Sequence, residues 1–196
     1  MKKILCFGDS NTYGFNPVNG KRYDKNIRWS GVLANLLADV EVVEAGANNR
    51  IMADETKEIL KSYLNNEQYD IVIFALGINN IQKIYNPSLK EFEIELCNFI
   101  KMIKEYAPKI ILMSPAKLNL QGINSNFFKQ LFNEISVEKS YKLAPIYKDA
   151  AHKFDCVFFD LNDIVEVSQI DGLHFDPPEH LKIAQNLLPV INKIIF

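Results

Sequence analysis

Two stretches far apart in the chain carry residue types that could do chemistry together. Near the start, Ile4-Leu5-Cys6-Phe7 gives way to Gly8-Asp9-Ser10-Asn11-Thr12-Tyr13-Gly14; near the end stands Asp171-Gly172-Leu173-His174. A serine hydroxyl is a weak nucleophile until a base takes its proton, and the base needs a third group to orient it. His174 follows Asp171 by three residues, a spacing that can set a carboxylate against the imidazole on a single turn. There it would fix the tautomer and stabilise the imidazolium as the proton arrives. Ser10, His174 and Asp171 are thus the candidate nucleophile, base and orienter. Each piece alone is an ordinary turn, and their combination is what points to acyl chemistry.

Acyl transfer also needs donors aimed at the developing oxyanion. The available ones are the backbone N–H groups of Ser10 and Gly46 and the side-chain amide of Asn79. Gly46 suits the role because, lacking Cβ, it permits close approach of substrate to backbone. Asp9, Asn11 and Asn80 flank these groups and are candidate substrate-binding positions, although Asp9 also reads as a structural acceptor for loop N–H groups. His152, among Lys148, Asp149 and Lys153, and His180, beside Glu179, read as solvated surface residues.

The elements that must position these groups follow from the apolar pattern. Ile4 to Phe7 is a continuous apolar run, the signature of a parallel strand buried on both faces. Glu41 to Gly46, Asp70 to Leu76, Lys109 to Met113 and Cys156 to Leu161 repeat it. Between them Val32, Leu33, Leu36 and Leu37 recur at helical spacing, with Ser30 placed to cap the first turn. Ala53 to Asn65 is amphipathic through Ile59, Leu60, Tyr63 and Leu64. Ser88-Leu89-Lys90-Glu91 is a capping box that starts a helix running to the stop at Pro108. Ser136 to Phe154 reads as a helix that Pro145 should kink or begin. The last helix carries Leu181, Ala184, Leu187, Leu188 and Ile191 on its apolar face.

Strands alternating with helices predict an α/β protein, a three-layer α/β/α sandwich around a five-stranded parallel sheet. The flavodoxin-like order 2-1-3-4-5 sets strands one and three side by side at the switch point, so the polar ends of the first three strands converge. The whole chain, 1–196, reads as one domain. Two loops, Phe15 to Arg28 and Pro115 to Asn133, follow strand ends and can shape access to the site. The aromatics of the second, Phe127 and Phe128, serve equally well as cover or as plain packing.

The bulk numbers bound the function. Twenty-two basic against 24 acidic residues leave a net charge of −2, which offers no electrostatic footprint for nucleic acid. The apolar run after Lys2 and Lys3 is too short for a signal peptide or a membrane span, so a cytoplasmic protein with no membrane insertion is expected. Cys6, Cys97 and Cys156 are odd in number, lack metal-ligand spacing and read as buried free thiols. Exposed apolar loop residues hint at self-association into a homo-oligomer.

Gly8-Asp9-Ser10, Gly46, Gly77-Ile78-Asn79 and Asp171-Gly172-Leu173-His174 together resemble the four ordered blocks of the SGNH hydrolases, also called GDSL-type esterases and lipases. Gly8 to Gly14 with Arg28-Trp29-Ser30-Gly31-Val32-Leu33 further resembles the bacterial arylesterase and acyltransferase branch. The resemblance implies Ser10 as nucleophile, His174 as base and then acid, Asp171 as its orienter, and Ser10, Gly46 and Asn79 as the oxyanion hole. It also implies hydrolysis of small acyl esters through an acyl-enzyme, with no metal or organic cofactor. Asn11 replaces the leucine of the GDSL motif, and Asn80 stands where many relatives carry an aspartate that would tie down loops. Two other readings stay open: an acyltransferase with the same triad, and a non-enzymatic flavodoxin-like module whose Ser10–Gly14 turn cradles FMN or phosphate.

Overall fold

The computed structural model describes residues 1–195 and places five parallel strands in the order β2-β1-β3-β4-β5. These are β1 (Lys2–Gly8), β2 (Val40–Gly46), β3 (Ile71–Ala75), β4 (Lys109–Ser114) and β5 (Val157–Asp160). Helices α1 (Ser10–Tyr13), α2 (Trp29–Leu36), α3 (Asp54–Asn66), α4 (Leu89–Lys104), α5 (Leu120–Asn124), α6 (Glu134–Phe154) and α7 (Pro177–Ile195) lie between and after them. The expected topology holds. The fifth strand is two residues shorter than its apolar run, since Cys156 and Leu161 flank the paired segment.

The continuous apolar runs are explained by burial on both faces. Leu5 and Phe7 of β1, Val72 and Phe74 of β3, and Ile110 and Leu112 of β4 point to the layer of α3, α4 and α6. Ile4 and Cys6, Ile71 and Ile73, and Ile111 and Met113 point to the layer of α2 and α7. Alternate residues of one strand thus feed two cores, so the middle positions of the central strands are apolar on both faces. The register sets Gly8 opposite both Gly46 and Ala75, which brings the carboxyl ends of β1, β2 and β3 level with one another.

Several local expectations are corrected. Ser30 does not cap α2, because the helix begins at Trp29 with Arg28 at its N-cap, two residues before Ser30. Ser30 is buried in the first turn and donates to Glu44 at 2.6 Å, while Arg28 grips the same carboxylate with Nε at 2.6 Å and Nη2 at 2.7 Å. Burial pushes the Glu44 carboxyl up, but these donors more than offset it and leave it below the usual range. Ile59 is exposed, because Thr56, Leu60 and Leu64, spaced by four, form the buried face of α3. Pro145 lies inside α6 on its exposed side, so the Tyr141 carbonyl it leaves unpaired faces solvent and the helix continues.

The capping box of α4 forms as expected, with Ser88 and Glu91 each accepting the other's backbone N–H. In α7 the buried stripe is His180, Ile183, Ala184, Leu187 and Ile191, and Leu181 lies outside it. His180, expected in solvent, is therefore fully buried; His152 is exposed as expected. Cys6 and Cys97 are buried free thiols, whereas Cys156 is half-buried. Among the described residues no helix is long and apolar enough to cross a membrane.

Candidate active site

Ser10 sits on the short helix that opens immediately beyond β1. The Asp9 carboxylate caps that helix by accepting the Asn11 N–H at 3.0 Å, and the N–H groups of Thr12 and Tyr13 reach the Asp9 carbonyl. The Ser10 N–H, at the first helical position, has no intrahelical partner and is left for a ligand. The turn lies hard against β2: a Cβ on Gly46 would come within 2.1 Å of the Tyr13 nitrogen. Glycine at 46 is thus required for this close packing, a reason that the sequence alone did not supply. Burial raises the Asp9 carboxyl to about 7, partly offset by the Asn11 N–H and by the charge of Arg50.

His174 lies on the loop after β5. Asp171 Oδ1 accepts the backbone N–H groups of Leu173 and His174, both at 2.9 Å, and these two bonds curl the loop into one turn. Gly172 has φ 73° there, and a Cβ would meet the Asn119 carbonyl at 2.2 Å. Nδ1–H of His174 donates to Asp171 Oδ2 at 2.6 Å, and the Ser10 hydroxyl stands 2.8 Å from Nε2. A carboxylate only accepts, so the tautomer carries its proton on Nδ1 and leaves Nε2 free to take one from Ser10. All three residues are buried, at 4%, 2% and 1% exposure for Ser10, Asp171 and His174. Burial pushes the Asp171 carboxyl up, but the bonds from His174 and Leu173 outweigh it and hold the carboxyl below the usual range.

Asn79 stands on a 3-10 turn, Ile78–Ile81, just past β3. Its Nδ2 donates to the Arg50 carbonyl at 3.1 Å, and its Oδ1 accepts from Gln82 Nε2 at 3.1 Å. Each amide nitrogen carries two protons, so one remains for a further acceptor. The expected substrate-binding trio is placed differently. Asn80 accepts the Met52 N–H at 2.9 Å and donates to the Met52 carbonyl at 3.0 Å, so its amide clamps the β2–α3 loop instead of facing a substrate. Asn11 donates to the Leu173 carbonyl at 3.2 Å and ties the Ser10 turn to the His174 loop. Asp9 is the helix cap. The cap speaks against the phosphate-cradle alternative, because it takes the Asn11 N–H and sets an acidic side chain at the turn an anion would have to enter.

Four further residues complete the surroundings, and of these only Phe128 was singled out by the sequence, as cover or as packing. The Phe15 ring lies 4.2 Å, centroid to centroid, from the His174 ring, and Phe128 meets it edge-on at 5.3 Å. The two sequence-identified loops therefore both reach the imidazole, while Leu118 and Phe132 of the second are core residues. Arg50 donates to the Gly8 carbonyl at 2.9 Å and to that of Ala45, and its guanidinium lies over the Phe7 ring at 4.3 Å. Gln82 joins Asn79 to Asn49. Alternation and spacing do not identify Phe15, Arg50 or Gln82, because each lies in a loop or turn without a period, and they leave the choice between cover and packing open for Phe128. No group of three or more His, Cys, Asp or Glu side chains suited to a metal ion occurs among the described residues.

Comparison with known proteins gives the same reading. The family model described as GDSL-like Lipase/Acylhydrolase matches residues 6–181. A carbohydrate acetylesterase family member from Sinorhizobium meliloti superposes with a TM-score of 0.91 at 28% identity, over 100% of this chain and 99% of its own. The aryl esterase of M. smegmatis gives 0.91 at 27% identity over 100% of both chains. An acetylxylan esterase from Geobacillus stearothermophilus, 18% identical with a TM-score of 0.71 over 100% of this chain and 94% of its own, shares the fold. Among curated proteins no significant sequence match was found. Fold, motif order and family match converge, and the chain belongs to the GDSL-like lipase/acylhydrolase family, the SGNH hydrolases, as a carboxylic ester hydrolase.

Proposed function

We propose that this hydrolase cleaves small acyl esters, acetyl esters among them, through an acyl-enzyme on Ser10. The observation that carries the reading is the pair of short contacts on His174, 2.8 Å to Ser10 and 2.6 Å to Asp171. As Ser10 Oγ attacks the ester carbonyl carbon, its proton passes to His174 Nε2, and Asp171 stabilises the imidazolium. The carbonyl oxygen, now negative, accepts hydrogen bonds from the spare N–H of the Asn79 amide and from the backbone N–H groups of Ser10 and Gly46. His174 then returns its proton to the departing alkoxide, the carbon–oxygen bond breaks, and the acyl group stays on Ser10. Water enters and gives a proton to His174 as it attacks; on collapse of the second tetrahedral adduct the bond from carbon to Ser10 Oγ breaks, His174 returns that proton to Oγ, and the acid leaves.

A small acyl group is supported by the burial of Ser10, 4% exposed, beside an imidazole that Phe15 and Phe128 pack against. The structural neighbours named as an aryl esterase and a carbohydrate acetylesterase support aryl and sugar acetates as the first substrates to try. Ser10→Ala should abolish hydrolysis of p-nitrophenyl acetate with the far-ultraviolet spectrum unchanged; full activity in that variant would sink the assignment. One observation also favours acyl transfer to an alcohol as a second outcome: the imidazole is walled by two phenyl rings, which disfavours water at the second step. Product analysis with a competing alcohol separates the two.

A further inference from the structure

We infer that Gln82 is a positioning residue for the oxyanion site: by donating to the Asn79 side-chain oxygen, it holds the Asn79 amide in the orientation that leaves an Nδ2 proton for the oxyanion. The inference rests on the proposed role of Asn79 as an oxyanion donor, and it supplies what that role needs. A primary amide has two ends of nearly equal size, and only the nitrogen end can stabilise a negative oxygen. Turned over, Asn79 would present a carbonyl oxygen to the oxyanion and oppose the reaction.

Two contacts on opposite sides choose the productive orientation. On one side the Arg50 backbone carbonyl, which can only accept, takes a proton from Asn79 Nδ2 at 3.1 Å. On the other, Gln82 Nε2 donates to Asn79 Oδ1 at 3.1 Å and to Asn49 Oδ1 at 2.8 Å, which commits both of its protons. With Asn79 reversed, oxygen would meet the Arg50 carbonyl and two N–H groups would face each other. Gln82 is 2% exposed, so water has little access to replace it. Its own N–H donates to the Asn79 carbonyl at 3.3 Å, so the 3-10 turn that presents Asn79 also fixes the residue that orients it. A hydrogen bond accepted at Oδ1 polarises the amide and strengthens its N–H as a donor. The bond to Asn49 extends the same control to the β2–α3 loop, where Asn49 holds a left-handed φ of 58°.

The test compares Gln82→Met, which keeps length and removes the donor, with Gln82→Glu, which keeps shape and replaces the donor with an acceptor. Asn79→Ala and the double variant Gln82→Glu/Asn79→Ala complete the set. With p-nitrophenyl acetate, kcat is expected to fall about 10-fold in the Met variant and about 10²-fold in the Glu variant, toward the loss typical of an oxyanion donor. KM should move by less than about threefold, because the interaction is made in the transition state. The Glu variant is the worse of the two because a carboxylate draws the Asn79 nitrogen toward itself, whereas a thioether merely stops holding the oxygen.

Affinity for phenylboronic acid, which forms a tetrahedral anion on serine, should fall in parallel with kcat. In the Asn79→Ala background the Glu substitution should cost nothing further. Equal losses in the Met and Glu variants, losses carried by KM, or an additive effect in the double variant would overturn the proposal and leave Gln82 as packing. Wild-type kcat in Asn79→Ala alone would instead remove the oxyanion role beneath it. Melting temperatures identify any variant that fails to fold, and the Met variant tests the proposal if the Glu variant does.

Discussion

Asp171 spends both carboxylate oxygens on His174: Oδ1 holds its backbone N–H and Oδ2 its ring Nδ1–H. One side chain thereby fixes both the loop that carries the imidazole and the direction in which the ring points. Position and tautomer are not separately adjustable here.

Asp171→Asn is expected to lower kcat by about 10³- to 10⁴-fold, because an amide nitrogen facing Nδ1 selects the tautomer that cannot accept the Ser10 proton. The amide oxygen can still accept the two backbone N–H groups, so the fold should survive. Steady-state kinetics with a melting curve checks both halves; a loss of activity that tracks a loss of folded protein would contradict the assignment.

Asp9 and His180 should give stability opposite dependences on pH. The Asp9 carboxyl is raised to about 7 in the folded state, so folding holds a proton that the unfolded chain releases. Its contribution is full below the unfolded carboxylate range and is lost as pH rises through 7. His180 is depressed to about 3 by burial, so its contribution is full above the unfolded imidazole range and is lost as pH falls toward 3. Asp9→Asn, which keeps an acceptor for the Asn11 N–H, should gain on wild type as pH rises from 4 to 7. His180→Gln should gain as it falls from 7 to 4. Thermal melts across that range decide the signs.

Phe128→Ala should open space beside the imidazole and raise the rate on longer acyl esters relative to the acetate. Its neighbour Phe127 is 69% exposed and serves as the control, for which little change is expected. A chain-length series of p-nitrophenyl esters measures the shift; an unchanged preference would place Phe128 outside the substrate path.

Asn80→Asp should destabilise the fold by about 1–3 kcal/mol at neutral pH, since an ionised carboxylate keeps the Met52 N–H but meets the Met52 carbonyl without a proton to offer. The deficit should shrink as the carboxyl protonates. Denaturant unfolding at pH 5 and 8 tests the prediction.

How much of this was legible follows from where periodicity exists. The strands were readable because burial on both faces writes itself as an uninterrupted apolar run, and Ser10, Asn79, Asp171 and His174 because each follows such a run or pairs at a turn spacing. His180 was misread because its polar ring hides the fact that it holds a place in the buried stripe of α7, where Leu181 looked the better candidate. Asn80 was misread because adjacency to Asn79 says nothing about which group each amide meets on a 3-10 turn: Asn79 keeps a free Nδ2 proton beside the Arg50 carbonyl, whereas both ends of the Asn80 amide are taken by the Met52 backbone. Phe15, Phe128 and Gln82 depend on how unpatterned loops fold back, information that only the assembled molecule holds.

Ser10 and His174 are separated by 164 positions, with four of the five strands lying between the first helix and the His174 loop. Synthesis therefore delivers the nucleophile first and the base nearly last. A growing chain displays its serine while the other four strands are made, with no His174 imidazole to activate it. Hydrolytic power arrives only with the final loop and helix, after the surfaces that shelter the site are already in place.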